Sequence, residues 1–130
     1  MISKETNRHE NPIQKKNVAS TSNLKSIDCY NKILTNYGQS AENTITLPDC
    51  ENGMNFLFQV ETSGAGNVHL KATSSDKIYF DGIALDDGDK VSCTTPAVGN
   101  FINFWTIQTG ESSYDWIAES GRGTWVDGGA

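Results

Sequence analysis

The densest carboxylate cluster in the chain is Asp86-Asp87-Gly88-Asp89, with Asp81 a few residues upstream. Clustered oxygen ligands are the chemistry of a calcium loop, but an EF-hand loop also needs a longer register and a closing Glu. Here the run continues as Lys90-Val91, and Asp and Gly in this order predict a hairpin turn instead. A second pair, Glu111 and Asp115, lies close in sequence to Trp105 and Trp116, the ingredients of a glycosidase with aromatic sugar platforms. Carboxylates on loops beside core tryptophans are also common without any chemistry. Of the two histidines, His9 sits in polar sequence and His69 on the outward set of an alternating run. Neither has a Ser or Cys nucleophile beside it in the sequence; a triad assembled only in space is invisible at this level. Cys29, Cys50 and Cys93 are odd in number and widely spaced, which gives neither a disulfide framework nor a zinc pattern. They read as free thiols, with Cys93 pointing inward beside Val91, as expected of a protein assembled inside a cell. There is no Walker-type loop, dinucleotide fingerprint or His/Cys metal set. The expectation is therefore no catalytic residue, no cofactor and no metal.

Composition narrows the partners. Residues 1–25 carry Lys4, Arg8, Lys15, Lys16 and Lys25 against Glu5 and Glu10, a net of +3, which leaves −9 for the rest of a chain whose total is −6. An acidic body argues against nucleic acid, whose backbone is bound through positive surface. The basic head suits an acidic protein surface. No apolar run approaches the roughly 18 residues that cross a bilayer, and the opening MISKETNRHE lacks the apolar core of a secretory signal. A chain of 130 residues has room for one core.

The elements that must position these residues are strands. Met54, Phe56, Phe58 and Val60 share one face; Val68, Leu70 and Ala72 repeat the pattern, and Ile78 and Phe80 repeat it again. Period-two alternation broken by Ser63-Gly64-Ala65-Gly66, Ser74-Ser75-Asp76 and Asp81-Gly82 reads as an antiparallel meander. Before it, Lys32 to Tyr37 and Thr44 to Leu47 read as a hairpin around a Gly38–Glu42 loop. After it come Ile83 to Leu85, Lys90 to Thr95, Asn100 to Thr109, Tyr114 to Glu119 and Thr124 to Val126. The Asn100–Thr109 run is apolar on both faces, with Phe101, Trp105 and Ile107 on one and Ile102 and Phe104 on the other. Such a strand lies in the core or forms half of an oligomer seam. About nine short strands without a convincing helix make an all-β protein: a single antiparallel, jelly-roll-like sandwich or barrel spanning residues 24–127. Residues 1–23 hold no aromatic and no glycine and show no hydrophobic period. They are expected to be an extended or disordered arm, and residues 128–130 a flexible tail.

The order of these pieces resembles the small β-domains of tailed-phage virion proteins. The resemblance rests on the stretch Thr35 to Pro48 (TNYGQSAENTITLP), Gly53 to Phe58, Ile78 to Gly82, Gly88 to Ser92 and Gly123 to Trp125, and covers roughly residues 30–129. It implies a non-enzymatic virion protein, most simply a capsid decoration or cement subunit on the particle surface, commonly a homotrimer, bound to the major capsid protein. On that reading Ile2, Arg8, Ile13, Lys15, Lys16 and Val18 anchor the arm to the shell, where it orders on binding. Phe101, Ile102, Phe104 and Trp105 form the core or the trimer seam. The alternative is a carbohydrate- or receptor-binding tail or fibre domain, which expects an exposed Trp116 or Trp125 as the sugar platform.

Overall fold

Wherever the sequence alternates apolar and polar residues, the backbone is extended, but its strands pair in an order that alternation does not dictate. The computed structural model describes residues 13–130. The first six strands are β1 (Gln14–Asn17), β2 (Ser22–Asn23), β3 (Tyr30–Thr35), β4 (Asn43–Thr46), β5 (Asn55–Gln59) and β6 (Val68–Lys71). The remaining six are β7 (Ile78–Phe80), β8 (Ile83–Ala84), β9 (Lys90–Cys93), β10 (Phe101–Gln108), β11 (Tyr114–Arg122) and β12 (Trp125–Gly129). A seven-stranded sheet in the order β1-β3-β5-β10-β11-β7-β8 faces a five-stranded sheet in the order β12-β9-β6-β4-β2. The protein is an all-β sandwich.

The sheets are mixed rather than purely antiparallel. Up to β6 the chain alternates between sheets at every step, odd-numbered strands in the larger and even-numbered strands in the smaller. Each strand reverses direction relative to the last, so two strands that meet in one sheet after an excursion through the other run parallel. The pairs β1–β3, β3–β5, β2–β4 and β4–β6 are all parallel. Hence the expected hairpin of residues 32–47 is an arch, its two strands lying in different sheets, and the expected meander is a winding coil. The last third pairs differently. β10 and β11 form a true hairpin with Phe104 opposite Ala118 and Trp105 opposite Ile117, and β9 pairs antiparallel with both β6 and β12.

The described part of the expected arm, from residue 14 on, and the expected tail both belong to the sandwich. Gln14–Asn17 is the edge strand of the larger sheet, and Val18 is buried to 5% exposure. A boundary at residue 23 therefore falls inside the folded body; Gln14–Asn17 shows no hydrophobic period because it docks through its backbone. At the other end Gly129 pairs with Lys90, and Lys90 Nζ donates to the Ala130 carbonyl at 2.6 Å, so residues 128–129 complete β12 rather than forming a tail.

The inner faces enclose one core. Phe56 and Phe104 stack with centroids 4.8 Å apart, and Trp116 meets both edge-on at 5.7 and 6.1 Å. Phe58 meets Trp125 edge-on at 6.3 Å. Such aromatic pairs add about 0.5–1.5 kcal/mol each beyond burial. Ile102 and Phe104 are thus core residues, whereas Phe101 and Trp105 lie on the outer face of the larger sheet.

The arches are closed by buried amides. Asn36 is fully buried: its Oδ1 accepts from Glu61 N at 2.7 Å and Thr62 N at 3.1 Å, and its Nδ2 donates to Thr62 O at 2.9 Å and Gln39 Oε1 at 3.0 Å. Gln39 Nε2 donates to the carbonyls of Gly66 and Asn67, and Asn43 Nδ2 to that of Val18. This row links successive arches and satisfies corner backbone that no strand pairs, which is what buried polar groups require.

Candidate interaction surface

The carboxylates singled out in the sequence hold turns. Asp89 N donates to Asp86 O, Asp86 N donates to Asp89 Oδ2, and Asp87 pairs with Lys77 Nζ at 2.9 Å. Asp81, at φ +47°, accepts from the Ser120 backbone and hydroxyl. Among the described residues no group of three or more His, Cys, Asp or Glu is placed to hold a metal ion. Asp115 Oδ1 accepts from Lys77 N and lines a polar cleft of about 360 Å³ with Asp49, Cys50, Asp76 and Ser113; Glu111 does not line it. Burial pushes the Asp76 carboxyl above its usual range, against hydrogen bonds from Cys50 N and Thr73, while the charges of Asp49 and Asp115 add to the rise. All three cysteines are free and buried. Burial raises each thiol, that of Cys29 to about 12, so none is a thiolate at neutral pH.

One constellation escaped the sequence reading. His69 is buried, with Nδ1 2.6 Å from Ser92 Oγ and Nε2 2.6 Å from Glu42 Oε2. A neutral ring satisfies both contacts when Nε2–H donates to the carboxylate and Nδ1 accepts from the hydroxyl. The residue types are those of a hydrolytic triad, with the ring turned end for end. The hydroxyl, however, is sealed. Ser92 is 2% exposed, and a Cβ on Gly128 would lie only 2.1 Å from its Oγ, so the β12 backbone occupies the space a substrate carbon would need. The trio clamps the chain before β4 to β6 and β9. Strand register alone puts His69 opposite Ser92; no local signal reveals it, because the two lie on separate strands and Glu42 arrives from a loop.

Open surface lies on the outer face of the larger sheet. Register places Asn55, Trp105, Ile117 and Tyr79 in one row, and Lys15, Ile33, Leu57, Asn103 and Glu119 in the next. Trp105 is 37% exposed, while Trp116 and Trp125 are 0% and 6%. The expected platform tryptophans are thus both core residues, and Trp105, expected in the core or a seam, is the open one. Beside it runs a groove of about 480 Å³ whose walls include Asn31, Ile33, Asn55, Leu57, Asn103 and Trp105.

The anchoring candidates divide. Ile2 and Arg8 lie outside the described residues. Ile13 is 64% exposed at the groove's end. Lys15 pairs with Glu61 at 2.6 Å and Lys16 with Asp28 at 2.9 Å, so both charges are met within the chain, and Val18 is in the core. Set against known protein families, curated proteins and solved structures, the chain finds no match.

Proposed function

We propose that this chain is a non-enzymatic virion structural protein, a capsid decoration or cement subunit that attaches through the segment leading into Ile13. The observation that supports it best is the contrast between polar clusters and open face. Asp86–Asp89, Asp115 and the Ser92 hydroxyl are all engaged in holding the sandwich together. The outer face of the larger sheet instead presents Trp105, Ile107 and Ile13 to solvent. A rigid body that presents an apolar outer face is suited to lying on a larger assembly, and the segment before β1, with Lys4 and Arg8 balanced by Glu5 and Glu10, brings no net charge to that contact. Anchoring belongs to residues before β1, since Lys15, Lys16 and Val18 already have partners inside the fold. The homotrimer in this proposal uses surface other than Ile102 and Phe104, which are sealed in the core.

The test is the copy number of this chain in purified particles, by quantitative mass spectrometry against the major shell protein. A ratio near that of the shell subunit supports decoration, and a few copies per particle move the protein to a tail or fibre. Absence from particles overturns both. Removing residues 1–12 is expected to abolish co-sedimentation with particles while leaving the thermal unfolding midpoint of the free protein unchanged.

A further inference from the structure

We propose that the groove beside Trp105 is a binding site for a neutral saccharide. Trp105 supplies a flat apolar face with an indole N–H that has no partner among the described residues, the combination that suits a ring with one apolar face and hydroxyl edges. Amides surround it. Asn55 stands directly opposite Trp105 in the β5–β10 register, and Asn103 lies two residues before it on the same outer face. Asn31 sits at the irregularity in β3, where the register with β5 shifts and its φ is +55°. A non-glycine residue held there is uncommon, and bulges of this kind re-aim a side chain.

Asn31 also suits its left-handed backbone, as Asn does more readily than most residues, but the side-chain amides of the three are little engaged. Asn55 Nδ2 makes one long contact, 3.5 Å to Gly53 O, and the Asn31 and Asn103 amides are committed to no described side chain. Each offers paired donors and an acceptor, the pattern that grips vicinal hydroxyls. Amides elsewhere in the molecule behave differently: Asn36, Gln39 and Asn43 are buried and engaged at the arches.

Charge selects the ligand class. Among the described residues no carboxylate lines the groove, and its one cation, Lys32, donates to the carbonyls of Ile27 at 2.9 Å and Tyr30 at 3.4 Å. Lys15, in the neighbouring row, is neutralised by Glu61. Two of the Lys32 N–H donors are thus already taken, so most of the polar groups left free to bind in the described part of the groove are neutral. Ile33 and Leu57 complete an apolar wall, and the volume lies within the roughly 300–1,000 Å³ of small-molecule sites. The assignment rests on the groove and not on the virion reading; it concerns the free chain, because the same face is the one proposed to lie on a larger assembly, and the sugar-binding and copy-number tests fail separately.

The experiment uses the full chain with methyl hexosides, N-acetylhexosamines and, as the charged control, methyl glucuronide. Trp116 and Trp125 are buried, so a sugar-dependent change in tryptophan emission reports on Trp105. Expected are saturation transfer from the protein to at least one neutral sugar, millimolar affinity and weaker binding of the glucuronide. Trp105→Ala and Asn103→Ala are each expected to weaken binding by roughly tenfold or more, with circular dichroism and unfolding midpoint unchanged. Three outcomes overturn the proposal: no saturation transfer to any neutral sugar; binding unaltered in Trp105→Ala; or concentration-dependent self-association in sedimentation velocity that Trp105→Ala abolishes. The last assigns the face to a second copy of this chain.

Discussion

The two ends of this sandwich solve the same packing problem with different chemistry. From β1 to β6 the chain winds alternately through both sheets, and its parallel pairs are tied at the corners by Asn36, Gln39 and Asn43. From β9 to β12 the strands pair antiparallel with one another, only β11 adding a parallel contact to β7, and the β10–β11 hairpin carries Phe104 and Trp116 into the aromatic core. A hairpin returns the chain within a few residues and satisfies its own backbone as it turns. An arch leaves corner N–H and C=O groups facing inward, and a buried amide side chain is the neutral group able to meet both. Parallel winding thus depends on specific polar residues, while the antiparallel part depends on volume and shape.

That difference can be broken from either side. The largest expected effect is in the antiparallel part: Phe104→Ala removes a ring stacked on Phe56 and is expected to cost about 3–5 kcal/mol, read from urea unfolding. Next is Asn36→Ala, which strands the Glu61 and Thr62 amides and the Thr62 carbonyl and is expected to cost about 2–4 kcal/mol. If the contrast is right, Asn36→Leu, which restores apolar volume, recovers none of this loss; full recovery would mean that the corner needs only filling. Gly128→Ala drives a methyl group toward Ser92 Oγ, at an expected cost of about 1–3 kcal/mol. Its signature is faster amide exchange in β12 and β9, with β3 and β5 unaffected.

The smallest effect concerns acid. Burial acts to raise the Asp28 carboxyl, but the Lys16 ammonium and the Lys25 N–H outweigh it and hold the group below its ordinary value. A depressed folded pKa gives stability that is present above the unfolded value and lost as pH falls through the folded value. Asp28→Asn is therefore expected to be modestly less stable than the native chain at neutral pH, and equal to it once pH is below the folded pKa. Asp76 has the opposite sign. Its raised pKa makes a penalty that is present above the folded value and relieved as pH falls through it, so in Asp76→Asn that acid-side gain disappears. Urea midpoints measured across the acid range separate the two.

Much of the strand content was legible because a half-buried strand writes its inside and outside as alternate residues. Phe56, Phe58, Val68, Leu70, Ile78, Ile102 and Phe104 all face inward as their spacing requires. The same rule failed for His69, which alternates with Val68 and Leu70 and yet is buried, because Glu42 and the β12 backbone cover the outer face there. It also could not rank the tryptophans. Trp105, Trp116 and Trp125 each lie in an alternating run, and which side of the run is inside depends on where the other sheet lies. Gln14–Asn17 carries no pattern at all and becomes a strand only because β3 offers it a free edge.

The sequence by itself determined the secondary structure class, most strand positions, the turn at Asp86–Asp89 and the inward residues of β5 and β10. These follow from local chemistry: side-chain alternation, turn-prone residues and the absence of a helical period. Only the tertiary structure decided that successive strands change sheets, that Ser92 and His69 meet, that residues 14–23 and 128–129 join the body, and that Trp105 remains open. Glycine, asparagine and aspartate permit a chain reversal without specifying whether the returning strand bonds to its predecessor or crosses to the opposite sheet. That choice is made by the buried apolar area and the corner amides acting together, and it joins residues far apart in the chain.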